Sequence, residues 1–211
     1  MTLLIDNDAL LKLAQYDLLD TALTSFGFGR DDVRVLATAR YVLLPAKNRL
    51  RRCKDEASAD RLEAFLAKVK TITSELADED KVDALAAPPN IDPGEALMLA
   101  VAASTADAYV ITGDKRALTA LSEEDDLQAV HATLSGKVLS LEVLFTFLIE
   151  ADFEGVQACV RRQPAVDKAL TNAFGVSAPA PLLSVRAALD SYVEHLRRIT
   201  GTLLHPPPAS S

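Results

Sequence analysis

The chain has 211 residues, 49% of them apolar and 25% charged, and a formal net charge of -8. That length supports one sizeable domain, or one domain with an extension, and the composition is that of a globular chain whose core must come from Leu, Ala and Val. The acidic balance argues against a protein that coats nucleic acid by bulk attraction, and two cysteines and three histidines in no ligand spacing argue against a disulfide framework or a usual zinc site.

In chain order, Thr2 to Ile5 reads as a short buried strand and Ala9 to about Leu23 as a helix, with Leu10, Leu11, Leu13, Ala14, Leu18 and Leu19 on one broad face. Gly27 and Gly29 break the chain, and Val33 to Ala37 is a second strand or a helix. A dense basic run, Lys47, Arg49, Arg51, Arg52 and Lys54, follows Pro45. It reads either as a solvated helix face or as a contact to phosphate or to a partner. A charged helix is expected over Asp55 to Thr73 and a polar loop over Asp78 to Pro93. Asp92-Pro93-Gly94-Glu95 then opens a helix to about Thr105.

Tyr109 to Thr112 is expected as a strand with a short helix after Asp114, Ser122 to Asp126 as a loop, and Lys137 to Leu141 as another strand. From Glu142 the pattern is helical only: one helix around Phe145, Leu148 and Ile149, a second over Val156 to Val160, and a third over Ser184 to Ile199. The alternation of strands and helices implies an α/β fold, three-layer, with a mostly parallel central sheet, helices on both faces and an all-helical C-terminal extension. The expected boundaries are 1–145, 146–204 and a disordered tail at 205–211. The first residues lack the basic segment and long apolar run of a leader, and no stretch is long enough to span a bilayer. A cytoplasmic protein without a membrane partner is expected.

Four acids, Asp6, Asp8, Glu95 and Asp114, follow apolar runs or open helices. In an open α/β sheet such positions lie at the carboxyl edge, where ligands bind. Clustered carboxylates repel one another, and a hard divalent cation relieves that repulsion. Each acid also has a purely structural reading as a helix cap: Asp8 ahead of Ala9-Leu10-Leu11, Asp92 with Glu95 as a capping box, and Asp114 after its strand. Asp6 resists that reading, because it follows the strand directly and precedes a better cap. A buried lone carboxylate costs several kcal/mol unless it is paired or metal-bound.

Asp6-Asn7-Asp8 and Gly113-Asp114 resemble motifs of the haloacid dehalogenase phosphatases, but Leu10 stands where that family favours Thr or Val, and no second acid lies within Lys115 to Thr119. The closer resemblance is to the PIN-domain nucleases. It rests on Leu4-Ile5-Asp6-Asn7-Asp8, on Asp92-Pro93-Gly94-Glu95-Ala96, and on Tyr109-Val110-Ile111-Thr112-Gly113-Asp114-Lys115-Arg116, over roughly residues 2–145.

This resemblance implies a PIN-like fold and a metal-dependent ribonuclease cleaving single-stranded RNA. Asp6, Glu95 and Asp114 would be the catalytic residues and the ligands of Mg²⁺ or Mn²⁺. Asp8 and Thr112 would support them, and Lys115, Arg116, Arg51 and Arg52 would contact the nucleic acid. The further acid that the family usually carries is not assignable among Asp55, Glu56, Asp60 and Glu63. A catalytically inactive PIN-like interaction module is therefore the rival reading. Its helical extension would serve a homodimer or a partner such as an antitoxin in a toxin–antitoxin pair. A phosphatase ranks last.

Overall fold

The structure, a computed structural model, describes residues 1–208. Its centre is a sheet of five parallel strands in the order β3-β2-β1-β4-β5, with β1 Thr2–Ile5, β2 Val33–Leu36, β3 Lys70–Ile72, β4 Ala108–Thr112 and β5 Val138–Ser140. The helices are α1 Asn7–Tyr16, α2 Leu19–Ser25, α3 Ala39–Leu43, α4 Leu50–Cys53, α5 Glu56–Leu66, α6 Glu79–Ala86, α7 Pro93–Ser104, α8 Lys115–Glu123, α9 Gln128–Thr133, α10 Leu141–Arg162, α11 Lys168–Phe174 and α12 Leu182–Thr200. Right-handed crossovers put α1 to α5 on one face of the sheet and α6 to α9 on the other. The packing of α1 on α5 and of α7 on α6 and α9 agrees with this.

Strands covered on both faces read as continuous apolar runs rather than alternations. Leu3, Leu4 and Ile5 of β1 are accordingly buried, as are Val110 and Ile111 of β4. Helix α7 is apolar almost all round, with Ala96 and Met98 to Ala103 buried, as a helix enclosed by its neighbours must be. Each fully buried Leu or Ile contributes about 1.5–3 kcal/mol.

Several elements differ from the sequence expectation. Asp17 ends α1 in the left-handed conformation, at φ 63°, so the helix expected to run to Leu23 is two helices. The chain expected as helix to Thr73 leaves α5 at Leu66 and forms β3 at the sheet edge. Lys70 and Thr71 are exposed there and carry no apolar alternation. The expected loop over Asp78 to Pro93 holds α6, because the Asp78 carboxylate accepts the backbone N–H groups of Asp80 and Lys81 and caps that helix.

The two helices expected after Glu142 are the two halves of α10, which breaks at Asp152. Residue 145 falls inside this helix, and α10 packs on β4, β5, α1 and α2. Residues of the C-terminal helices, among them Leu148, Val160, Phe174 and Leu189, belong to one continuous apolar core with the sheet. His205, expected to begin a disordered tail, is held instead. Its N–H donates to Val138 O at 2.7 Å beside the Val138–Leu204 bridge, and its ring packs against Phe26, Tyr109 and Phe147. The remainder of that expected tail at 209–211 lies outside the described residues. No helix among the described residues is long and apolar enough to cross a membrane.

Candidate active site

Strand β1 pairs with β2 on one side and β4 on the other; the chain leaves β1 toward β2 and leaves β4 toward β5, in opposite directions. The crevice at the carboxyl ends of β1 and β4 is thus the switch point where open α/β sheets bind ligands. Asp6 closes β1 there, and Thr112, Gly113 and Asp114 close β4. Helix α7 runs back across the sheet to lead into β4, which brings its first turn, with Glu95, to the same edge.

A cavity of about 630 Å³ opens at this point, and Asp6, Asp8, Asp92, Glu95 and Asp114 all line it. Leu36, Leu43 and Met98 form its apolar wall, and Arg52, Lys115 and Arg116 contribute cations. Arg51 is exposed on α4 and does not line it. Within the basic run, Arg49 is spent on Glu56, Asp60 and Glu63 of α5, at 2.6–2.9 Å. Asp55 caps α5. The region between the first motif and Glu95 therefore sends none of those four acids to the cavity.

Capping and site geometry are one arrangement here. Asp6 Oδ1 accepts the Ala9 N–H at 2.6 Å, so Asp6, not Asp8, is the cap of α1. The reason is that Asp6 still has extended backbone directly after β1, which leaves no linker before the helix. Its Oδ2 accepts the Gly113 N–H at 2.9 Å and the Thr112 hydroxyl. Asp114 Oδ1 accepts the N–H groups of Arg116 and Ala117 at 2.8 and 3.0 Å. Asp92 and Glu95 form the expected capping box, with the Asp92 N–H donating to Glu95 Oε2 at 2.9 Å. Asp8, which is exposed, pairs with Lys12 at 2.9 Å, and Asp167 of the α11 cap holds the same ammonium at 2.9 Å.

The electrostatics set these acids apart. Asp6 is only 6% exposed. Burial pushes its carboxyl up to about 6, against the opposing hydrogen bonds from Thr112, Ala9 and Gly113. Glu95 rises to about 7, first through burial. The neighbouring Asp114 adds to this by repelling charged Glu95 and accepting a hydrogen bond from its protonated form. At Asp114, burial also acts upward, but the N–H groups of Ala117 and Arg116 together with the Arg116 guanidinium outweigh it and hold the carboxyl below its ordinary value.

No family model matches the chain, and no curated protein or solved structure does.

The donor set is of the kind a hard divalent cation takes, namely carboxylate oxygens and the side-chain oxygen of Asn7. Asn7 Oδ1 is buried, lines the cavity wall through its residue and has no hydrogen-bond partner. Among the described residues, no group of three or more His, Cys, Asp or Glu stands in metal-holding geometry. The acids fit such an ion in chemistry and in mutual repulsion, and gathering them around it requires side-chain movement, including release of Asp114 Oδ2 from Arg116, 3.4 Å away.

No sequence motif marks Glu142. It is buried, its Oε1 pairs with the Lys115 ammonium, and its Oε2 has no partner. The strand-end position that singles out Asp6 and Asp114 also extends to Glu142, which lies two residues past the end of β5.

Proposed function

We propose that the protein is a metal-dependent nuclease with a PIN-like fold, hydrolysing phosphodiester bonds of single-stranded RNA. The observation that carries this reading is the convergence of Asp6, Glu95 and Asp114 from a strand end, a helix start and a second strand end on one cavity at the switch point. Glu95 beside Asp114 supports it, because a carboxyl pair at such a site stores repulsion that a cation relieves.

Asp6, Glu95 and Asp114 would hold Mg²⁺ or Mn²⁺, which supplies Lewis acidity toward a phosphoryl oxygen and lowers the pKa of bound water. Thr112 fixes the rotamer of Asp6. In the metal-free site the Glu95 carboxyl is raised to about 7, and a bound cation would hold it in its charged form. Arg52, Lys115 and Arg116 on the walls face the phosphate backbone.

One observation favours the rival reading, a silent PIN-like module that binds an antitoxin or a second copy: the acids do not stand in metal-holding geometry. The phosphatase reading has less support, since Asp6, its nucleophile, is buried with both oxygens accepting hydrogen bonds.

Incubating purified protein with a mixed single-stranded RNA and Mn²⁺ or Mg²⁺, beside Asp6→Asn and Asp114→Asn, separates these readings. Metal-dependent cleavage lost in both variants supports the nuclease. An inactive wild type alongside folded variants leaves the binding module.

A further inference from the structure

Lys115 and Arg116 do not only line the carboxylate cavity. The same two residues form a wall of a second, shallower depression, of about 210 Å³, lined also by Asn90, Thr119, Ala120 and Glu123. The two cavities therefore meet across a cationic ridge at the start of α8.

The ridge is held from below and open above. Lys115 pairs with buried Glu142, which fixes the ammonium at the boundary, while its side chain remains 52% exposed. Arg116 is 82% exposed and reaches Asp114 only at 3.4 Å, which leaves most of its five donors for a ligand.

The smaller cavity has a different character. Glu123 opposes a phosphate inside it. Asn90 offers a donor and an acceptor, and the Thr119 hydroxyl, donating to Lys115 O at 2.7 Å, still accepts. These groups suit the edge of a base. The volume of about 210 Å³ lies below the roughly 300–1,000 Å³ of ordinary ligand pockets, a space on the scale of a single base.

We propose that this cavity is a subsite for the base of the nucleotide next to the scissile bond of a single-stranded polynucleotide, with Lys115 and Arg116 gripping the phosphate between the two cavities. The inference rests on the nuclease reading for the identity of the neighbouring cavity. It commits the substrate to a single strand, because a paired base enters such a cavity only after unstacking.

The test is competition binding without divalent metal. Unlabelled mononucleotide, dinucleotide, short single strand and blunt duplex displace a fluorescent single strand from the full-length protein, followed by anisotropy. Affinity should rise from mononucleotide to dinucleotide. Thr119→Phe, which fills the smaller cavity, should remove about a tenfold increment for the dinucleotide and the strand, with unchanged mononucleotide binding. Asn90→Trp blocks the same space from an exposed loop and keeps the test valid if the helical variant misfolds. Lys115→Ala and Arg116→Ala should each lower the slope of log affinity on log salt by about 0.7.

Wild-type binding by both cavity-filling variants, or equal affinity for duplex and single strand, overturns the subsite. Because the readout needs no cleavage, a protein that binds in this pattern but never cleaves keeps the subsite and loses the nuclease reading. One that cleaves while ignoring both fillings does the reverse.

Discussion

Thr112 joins two of the acids through a single oxygen: its hydroxyl donates to Asp6 Oδ2 and accepts the backbone N–H of Asp114 at 3.1 Å. Thr112 is buried at the end of β4, so this link spans the crevice between β1 and β4. Thr112→Val keeps the shape and removes both hydrogen bonds. It should cost about 1–3 kcal/mol in urea unfolding, and Thr112→Ser should recover most of that. If the nuclease reading holds, the Val variant should also lose activity beyond its loss of stability, since Asp6 is no longer fixed.

The metal-free protein should become less stable as pH rises through the weakly acidic range. Asp6 has a folded value of about 6 against an ordinary 3.8. Between those values the folded state holds the extra proton, so stability falls with rising pH and levels off above about pH 6. At 1.36 kcal/mol per pKa unit, the full effect is roughly 2–3 kcal/mol. Glu95 extends the same trend to about pH 7. Urea unfolding at both ends of this window should show the decline in the wild type, and in Asp6→Asn a difference smaller by about the Asp6 share. An identical pH profile in the two proteins would contradict the buried, protonated carboxyl.

Gly113 is small for a reason of space. A Cβ there would stand 2.6 Å from Asp8 Oδ2 and 3.4 Å from Leu141. Asp8 is exposed and held only by its surface pair with Lys12, so Gly113→Ala should unfold within about 1 kcal/mol of the wild type. It should nevertheless displace Asp8 from the cavity and weaken the Asp8–Lys12 pair. Nuclear magnetic resonance shifts of the Asp8 carboxyl and the Lys12 ammonium would register the change.

The C-terminal helices belong to the fold. A chain ending at residue 145 would stop inside α10 and uncover core packed by Leu148, Ile149, Val156 and Val160. It should fail to give a cooperative unfolding transition. In the full chain, Leu148→Ala should cost about 2–5 kcal/mol by chemical denaturation, though it lies beyond residue 145.

Much of this was legible in the sequence where local chemistry and long-range packing agree. β1, β4 and β5 are short apolar runs between turns, β2 is one of the two readings open for Val33 to Ala37 because Arg34 interrupts its apolar run, and Asp92 with Glu95 forms the capping box that the spacing predicts. β3 was not legible, because Lys70 and Thr71 face solvent at an edge that only the β2 pairing turns into a strand. α6 was hidden by its polar composition. Asp6 and Asp114 stand out in the sequence because each lies just past an apolar strand. Capping does not keep either of them from the cavity, however. Both use the caps of α1 and α8 to aim their carboxyl groups at the cavity. Glu142 and the orphaned Asn7 oxygen become meaningful only once β5 and α1 are placed beside β4.

Calorimetric titration of Mn²⁺ into the wild type, Asp6→Asn, Glu95→Gln and Asp114→Asn tests the central claim most directly. If the three acids serve one cation, the wild type binds it with saturation, and each substitution alone weakens binding at least tenfold while the variant stays folded. A wild type that takes up no Mn²⁺, or three variants that bind as it does, would leave these carboxylates as helix caps and remove the basis for a metal-dependent nuclease.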